Sequence, residues 1–289
     1  MECIGRHLVE LQTPAQNSRD VERDFQKFQD RYLMFAATGC VISITDNSLG
    51  RLSFTAPEVL EALGVPVDPE SLELHLNTFH RKSSFVFEPG KEQNEQDLDI
   101  LLQHAMFLGA RYLLCVSGDG SERLPRLKPE DLGNDPAVLQ AVTSVELLKY
   151  VEARYPWRFT MGVAYNQYEP LDHEISKLRR KIAAGARFLA TQPVIMKTDS
   201  DRRLELAKES LSEMMAVAHA SAVQVILEGW MSKKLSHLLP KCVGYDIDFG
   251  DFNPEPNLAA MRECHPECNC YLTMVFGKKT LDRALSIIG

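Results

Sequence analysis

The sequence predicts a (β/α)8 barrel, the fold in which parallel strands alternate with helices around a closed sheet. Two observations predict it: apolar runs that end abruptly in small or ionisable polar residues, and amphipathic stretches that alternate with those runs. Strands buried on both faces read as continuous apolar runs, and barrels of this kind typically have about 250 residues. At 289 residues, we expect a single domain over 1–289, with its chemistry where the strands end.

Six apolar runs are the clearest strand candidates. In order, they are HLVEL before Gln12-Thr13, CVISI before Thr45-Asp46-Asn47, LELHL before Asn77-Thr78, YLLCV before Ser117-Gly118-Asp119, TMGVA before Tyr165-Asn166, and RFLA before Thr191-Gln192. A seventh run, YLTMVF at 271–276, precedes the amphipathic segment KKTLDRALSII. The pattern blurs after residue 228, so we expect an irregular last strand.

Helical periodicity follows each of the six strand candidates. The predicted helices cover 20–34, 56–64, 94–109, 135–155, 171–185 and 201–219. Asp20 and Ser200 are placed to cap helix N-termini, and Gly109 and Gly185 to end helices just before strands. The stretches 79–93 and 119–136 are longer than ordinary βα loops and are expected to leave the catalytic face.

Composition excludes several classes of function. The net charge is −8 and the 32 basic residues are spread along the chain, which argues against nucleic-acid binding. No segment has the roughly 18 to 20 apolar residues of a membrane span, and the first residues lack the apolar core of a signal peptide. We therefore expect a cytoplasmic protein with no nucleic-acid or membrane partner.

The seven cysteines do not predict a disulfide scaffold. Three of them, with one histidine, lie in the segment ECHPECNC at 263–270, where a zinc or iron–sulfur site is conceivable. The Cys-x3-Cys-x-Cys spacing is not that of a standard Cys-x2-Cys pair. We expect no metal and interpret these thiols as structural or redox-sensitive groups.

Glu10 is the first candidate catalytic residue, because it stands inside an apolar strand run. A carboxylate among apolar neighbours is either paired or has a raised pKa, and a raised pKa suits a general acid. The alternative is a structural pair with a strand-end base such as Arg6. Sequence periodicity alone leaves both interpretations open.

Four further places could bind a ligand. In Ser117-Gly118-Asp119-Gly120 the glycines let backbone amides approach a ligand and Asp119 can accept hydrogen bonds, although such turns are common. His75 lies in a strand run and Lys181 in a basic helical segment; each has a structural alternative, a core histidine and a solvated helix face. Gln192 offers both a donor and an acceptor, and could read a pterin or flavin edge or fix a loop.

Taken together, these segments resemble the methylenetetrahydrofolate reductase family. The resemblance covers about residues 7–230 and is carried by VELQTP at 9–14, TDNSLGR at 45–51, HLNTFHRK at 75–82, LLQHAMFLGA leading into LLCVSGD, GVAYNQY at 162–168 and LRRKIAAGARFLATQ at 178–192. The last two segments are the most specific. The chain is similar to a divergent, short-chain member.

The resemblance implies an FAD-containing oxidoreductase that reduces 5,10-methylenetetrahydrofolate to 5-methyltetrahydrofolate. It implies that Glu10 is the acid that opens the folate ring, that Asp119 lies near flavin and pterin, and that Gln192 contacts the folate. It also implies that Lys181 contacts FAD. The further flavin-lining positions would be Thr45, Asp46, His75, Ser117, Gly118 and Tyr165.

Departures from the family pattern bear on the electron donor. The opening after Glu10 is reduced to Gln12-Thr13-Pro14, Ser117 stands where an arginine is often found, and GVAYNQY lacks the common Tyr-Pro-Glu turn. The donor could be NAD(P)H or a partner protein, and a homo-oligomer is left open. Two alternatives remain: a flavin- or folate-binding subunit of a larger electron-transfer or methyl-transfer complex, and a folate-binding barrel without flavin.

Overall fold

The computed structural model contains eight strands closed into a barrel in chain order, with helices between them. The structure describes residues 4–48, 51–79, 93–118, 125–196, 202–244 and 251–289, with side chains of the third helix described from residue 98 onward. The pairings of neighbouring strands within the described residues are parallel, so the predicted fold class is confirmed.

The strands are five to seven residues long except for the four-residue fourth strand. They are β1 Leu8–Gln12, β2 Val41–Thr45, β3 Leu72–Leu76, β4 Tyr112–Cys115, β5 Thr160–Tyr165, β6 Phe188–Pro193, β7 Gln224–Trp230 and β8 Asn269–Thr273. The six predicted apolar runs and the seventh run all form strands. The strand that the sequence left unassigned is β7, a seven-residue strand whose pairing with β6 includes a register shift.

Nine α-helices lie within the described residues. They are α1 Val21–Ala36, α2 Ala56–Leu63, α3 Gln93–Phe107, α4 Ser144–Arg154, α5 Leu171–Ala183, α6 Arg202–Ala220, α7 Leu239–Val243, α8 Pro254–Cys264 and α9 Lys278–Ile288. The predicted helix over 135–155 is too long at its start, because Thr143 and Glu146 form a capping box that begins α4 at Ser144.

Local capping agrees with the sequence where it is described. The Asp20 side chain accepts a hydrogen bond from the Arg23 amide at the start of α1. Gly109 and Gly185 follow α3 and α5 with positive φ angles, as expected after helix ends. Ser200, residues 80–92 of the first predicted excursion and residues 119–124 of the second lie outside the described residues.

The chain divides into two compact units by its internal contacts. Unit 1 comprises Met1–Glu10 and Gly162–Gly289, and unit 2 comprises Leu11–Met161. In unit 1, Gly162 on β5 leaves space for the ring of Phe188 on β6: a Cβ at Gly162 would lie 2.1 Å from that ring. In unit 2, helix residues such as Phe35 of α1 and Leu60 of α2 are fully buried in the core. The single domain over 1–289 stays a prediction.

Among the described residues, none of the helices combines the length and the apolar character required to cross a membrane.

Candidate functional site

In unit 1, the predicted acid Glu10 stands near the carboxyl end of β1. The hydroxyl of Tyr271 on β8 donates a hydrogen bond to Glu10 Oε2 at 3.1 Å. The β1–β8 ladder pairs Leu8 with Tyr271, so Glu10 lies two residues further along and on the same side of the sheet. Glu10 is partly exposed, so its carboxyl can be reached from solvent.

A second carboxyl, Glu228 on β7, flanks β8 from the other side. The Thr273 hydroxyl donates to Glu228 Oε1 at 2.9 Å, and the β7–β8 ladder pairs Glu228 with Tyr271. The pKa of Glu228 is raised well above its ordinary range, mainly by burial and next by the charge of Glu10. The Thr273 hydrogen bond opposes both effects. Two carboxyls therefore flank one strand.

Sequence analysis missed Glu228 and Tyr271. The signal for Glu228 was present, because it stands in the apolar run VILEGW as Glu10 stands in HLVEL. The blurred pattern beyond residue 228 hid the strand that carries it. Tyr271 gave no signal of its own, since a tyrosine in an apolar strand run is an ordinary core residue.

Gln192 lies on β6 beside β7, at a bulge. The β6–β7 register shifts between Ala190 and Pro193, and the buried Gln167 side chain fixes the irregular backbone. Its Nε2 donates to the Gln192 carbonyl at 2.9 Å and to the Pro193 carbonyl at 3.2 Å, and its Oε1 accepts from the Gln192 amide at 3.2 Å. Bulges often re-aim side chains next to functional sites.

The Gln192 side chain itself is partly exposed. Within the part of the chain that the structure describes, no group hydrogen-bonds to its side-chain amide. The adjacent Thr191 hydroxyl accepts from the Glu228 amide at 3.0 Å, which ties the bulge to β7. We call the set on these four neighbouring strands the acidic face; it consists of Glu10, Gln192, Glu228, Tyr271 and Thr273.

Two residues of unit 1 that are predicted to contact flavin, Lys181 and Tyr165, bond to groups outside the acidic face. Lys181 Nζ donates to the Ala164 carbonyl of β5 at 2.6 Å, and burial lowers the pKa of Lys181 to about 8 against the opposing charge of Glu174. The Tyr165 hydroxyl lies 2.8 Å from Ser210 Oγ of α6, and Tyr165 is buried. Their roles in binding flavin stay predictions.

In unit 2, Asp46 follows β2 and is bound by two amides. Asn77 Nδ2 donates to Asp46 Oδ2 at 2.9 Å, and Asn47 Nδ2 donates to Oδ1 at 2.7 Å. Burial raises the pKa of Asp46 to about 7, against the opposing effects of His75 and the Asn77 hydrogen bond. The preceding Thr45 is buried, with its hydroxyl 3.4 Å from that of Ser48.

The loop after β4 approaches this cluster closely. Gly118 has φ +73°, and a Cβ there would lie 2.7 Å from the Asn77 Cβ, so only glycine fits without displacement. The Thr78 hydroxyl donates to the Ser117 carbonyl at 2.6 Å, which fixes the loop. Ser117 and Gly118 are exposed, whereas Asp119 lies outside the described residues.

His75 belongs to a buried network with Ser43 and Glu73. Ser43 Oγ donates to Glu73 Oε1 at 2.5 Å and lies 2.9 Å from His75 Nε2. Because the serine proton is directed to Glu73, Nε2 of His75 must carry the proton of the second bond. Glu73 is fully buried, and its Oε2 has no hydrogen-bond partner. The network holds His75 in one orientation.

The cysteine-rich segment forms no recognised metal site. Cys264 is exposed, whereas Cys268 and Cys270 are buried. Burial raises the pKa of Cys268 to about 12 and that of Cys270 to about 11, which disfavours the thiolate forms that bind metals. In the described ranges, no group of three or more His, Cys, Asp or Glu side chains could hold a metal ion.

Comparisons with known proteins give the fold. No protein-family model matches the chain, and no curated protein matches its sequence. Its fold is similar to that of an uncharacterised protein from Clostridium thermocellum that binds two copies of 5-methyl-5,6,7,8-tetrahydrofolic acid. The TM-score is 0.56 at 12% identity, with 98% of this chain and 94% of that chain covered.

Two dihydropteroate synthases are also similar. The enzyme from Vibrio fischeri ES114 gives a TM-score of 0.50 at 12% identity, with 99% of this chain and 93% of that chain covered. The enzyme from Coxiella burnetii, in complex with pteroic acid, gives 0.50 at 11% identity, with 99% and 94% covered. At such identities the likeness shows the barrel fold. Membership of the methylenetetrahydrofolate reductase family stays a prediction.

Proposed function

We propose that this protein binds a reduced folate at the acidic face of unit 1 and reduces 5,10-methylenetetrahydrofolate to 5-methyltetrahydrofolate with a bound flavin. The observation that carries the proposal is the pair of partly exposed carboxyls, Glu10 and Glu228, on the strands that flank β8. The family resemblance and the folate-binding barrel of similar fold from Clostridium thermocellum support the same ligand class.

The groups of the acidic face suit a pterin. A pterin ring presents N–H donors beside a carbonyl and ring-nitrogen acceptors, and a carboxylate accepts such donors strongly. The Gln192 side chain has both an amide donor and a carbonyl acceptor, and its backbone is fixed by Gln167 on either side. An amide carried by this fixed bulge, on the strand beside β7, can therefore help to orient the ring.

The acidic face also suits ring opening. Protonation of the folate N10 breaks its bond to the methylene carbon and leaves a cationic iminium at N5. A carboxyl of raised pKa can donate that proton at neutral pH, and a nearby carboxylate stabilises the cation. The Tyr271 and Thr273 hydroxyls hold the two carboxyls in place for this step.

The residues predicted to contact the flavin have chemistry that suits this role within each unit. In unit 2, the exposed Ser117 and Gly118 offer a hydroxyl and an open backbone. In unit 1, Lys181 uses one of its three N–H donors on Ala164, and at a pKa of about 8 it is mostly cationic at neutral pH, as a diphosphate requires. A bound flavin would supply the hydride for the reduction.

The test is anaerobic turnover of the chain reconstituted with FAD. Dithionite-reduced protein is mixed with 5,10-methylenetetrahydrofolate, and 5-methyltetrahydrofolate is measured by mass spectrometry. We expect product from the wild type, and at least about a 100-fold lower rate from Glu10→Gln. The matched control is Glu263→Gln, an exposed glutamate of α8 in the same unit, which should retain the wild-type rate. Full activity of Glu10→Gln would contradict the proposal.

Repeating the reaction with NADH or NADPH in place of dithionite identifies the electron donor. Product with a nicotinamide indicates a self-sufficient reductase. Product with dithionite alone indicates a subunit that receives electrons from a partner protein.

A folate-binding protein without flavin is the second candidate. It is favoured by the fold similarity to the Clostridium thermocellum protein that binds 5-methyltetrahydrofolate. An absorbance spectrum distinguishes the two: flavin bands that survive dialysis after reconstitution support the reductase. Tight folate binding without flavin retention supports the second candidate.

A further inference from the structure

The two carboxyls of the acidic face are held by crossed hydrogen bonds over β8. In the ladders, both Leu8 and Glu228 pair with Tyr271. Glu10 therefore stands one side-chain layer above Glu228, on the opposite flank of β8. Yet Glu10 accepts from Tyr271, in the lower layer, and Glu228 accepts from Thr273, in the upper layer. Each carboxyl is thereby turned toward the layer of the other.

Among the described residues, the Thr273 hydroxyl is the one hydrogen-bond donor to the Glu228 carboxyl. Burial and the charge of Glu10 act on Glu228, and no described cation offsets them. The strand β8 also contributes the Tyr271 phenol to Glu10, while β6 contributes the Thr191 hydroxyl to the Glu228 backbone. Two partly buried carboxyls whose charges act on each other cannot both ionise without a large cost in free energy.

We propose that Glu228 and Glu10 act as one acid, in which Glu228 carries the proton at neutral pH and Glu10 is its ionised partner. This rests on the proposed function for its substrate. In the step, the O–H bond of Glu228 breaks and its proton forms a bond to the folate N10. The N10–methylene bond then breaks with its electron pair on N10. Glu228 is left as a carboxylate and regains a proton from water after product release.

The assignment to Glu228 follows from the different surroundings of the two groups. Burial and the Glu10 charge both favour the neutral form of Glu228 and raise its pKa. Glu10 lies further toward the carboxyl end of its strand, where active sites of such barrels open to ligands. Its carboxyl accepts from the Tyr271 hydroxyl. Glu228 would thus be the catalytic acid, and Glu10 would keep it protonated and stabilise the iminium cation.

The test is a ¹³C NMR titration of the glutamate side-chain carboxyls in the ligand-free full chain, which requires no flavin or folate. We expect one carboxyl with a midpoint well above the ordinary glutamate range in the wild type. Glu228→Gln should remove that titration. Glu10→Gln should leave it present but shift its midpoint down by at least about one pH unit, since the neighbouring charge is gone. Glu263→Gln should change nothing.

Turnover of the same variants completes the test. Glu228→Gln should lower kcat for folate reduction by at least about 100-fold while the Kd for 5-methyltetrahydrofolate stays within about threefold. A high-midpoint titration that persists in Glu228→Gln would overturn the proton assignment. A Glu228→Gln variant that turns over normally would overturn the catalytic role.

The two proposals fail in different ways. If wild-type protein does not reduce the folate while the titrations behave as expected, the proposed function fails and the proton assignment stands. If the wild type is active and the titrations contradict the assignment, the reverse holds.

Discussion

The two compact units each carry a polar cluster, and they use their carboxylates differently. In unit 2, both oxygens of Asp46 accept from asparagine amides, and the neighbouring loop is tied to the cluster through Thr78. In unit 1, Glu228 accepts from one hydroxyl, and the Gln192 amide has no partner among the described residues. The cluster of unit 2 is organised for its own structure, whereas the acidic face keeps hydrogen-bonding capacity for a ligand.

This difference teaches where to look for chemistry in a barrel with many polar strand ends. A saturated carboxylate fixes a loop, and its removal should mainly cost stability. An unsaturated one, held in place by a second layer of bonds, should mainly affect ligand binding or catalysis when changed. The predictions below test this separation.

The largest expected effect is a loss of stability in unit 1, where Gly162 of β5 packs against Phe188 of β6. Gly162→Ala would place a methyl group 2.1 Å from the ring of the buried Phe188, so the ring would have to shift within a close-packed core. We expect the free energy of unfolding in urea to fall by about 3 kcal/mol or more. The control is Gly5→Ala, at a glycine with nothing within 4 Å, which should change it by less than about 0.5 kcal/mol. Equal stability of the two variants would contradict the described packing.

A smaller loss of stability, but a sharper contrast between the units, is expected from two amide truncations. Gln167→Ala would remove its three hydrogen bonds to the backbone of the β6 bulge, of which only the Pro193 carbonyl keeps a second donor, Tyr168, and would cost about 2 to 3 kcal/mol. It should also weaken 5-methyltetrahydrofolate binding about tenfold, because Gln192 loses its support. Asn77→Ala in unit 2 should cost about 2 kcal/mol through its lost bonds to Asp46 and Phe79.

The measurements are urea unfolding and calorimetric folate titration of both variants. Folate affinity should stay within about threefold of wild type for Asn77→Ala. If Asn77→Ala weakened folate binding as much as Gln167→Ala, the division of labour between the two clusters would be wrong.

The smallest effect is a pH dependence from Asp46. Its folded-state pKa of about 7 lies above the ordinary 3.8, so the folded chain retains a proton that the unfolded chain has released. Its contribution to stability is therefore complete below about pH 4 and is lost as the pH rises through 7. Because Asp46 is partly exposed, we expect a loss of about 1 to 2 kcal/mol between pH 5 and pH 8.

Urea unfolding of wild type and Asp46→Asn at several pH values measures this contribution. The difference between the two proteins should change with pH in the stated direction. A constant offset from pH 5 to pH 8 would show that Asp46 titrates near its ordinary pKa.

Much of the barrel could be predicted because parallel strands buried on both faces leave uninterrupted apolar runs. The runs before Thr45 and Asn77 begin and end close to the observed β2 and β3. β7 escaped prediction because the pattern blurs after residue 228, and the strand also carries two polar residues, Gln224 at its start and Glu228 within it. Both polar residues have structural partners that a single sequence does not reveal, Ile4 for Gln224 and Thr273 for Glu228.

The candidate site divides in the same way. Glu10 and Gln192 could be proposed from sequence, because Glu10 is a polar residue inside an apolar run and Gln192 one at the end of such a run. Their partners could not be proposed from sequence. Tyr271 is 261 residues from Glu10 in the chain, and Gln167 reaches the β6 bulge from the segment after β5. Lys181 shows the limit of helix periodicity: its long side chain reaches the Ala164 carbonyl of β5, a contact that depends on packing of α5 against the sheet.

Calorimetric titration of the purified wild-type chain with 5-methyltetrahydrofolate, alongside Gln192→Leu, tests the central claim that the acidic face binds a reduced folate. The account predicts saturable binding with a Kd at or below about 100 μM for the wild type, and at least about tenfold weaker binding for Gln192→Leu. Wild-type protein that shows no saturable binding at about 1 mM folate, or a Gln192→Leu variant that binds as tightly as wild type, would contradict it.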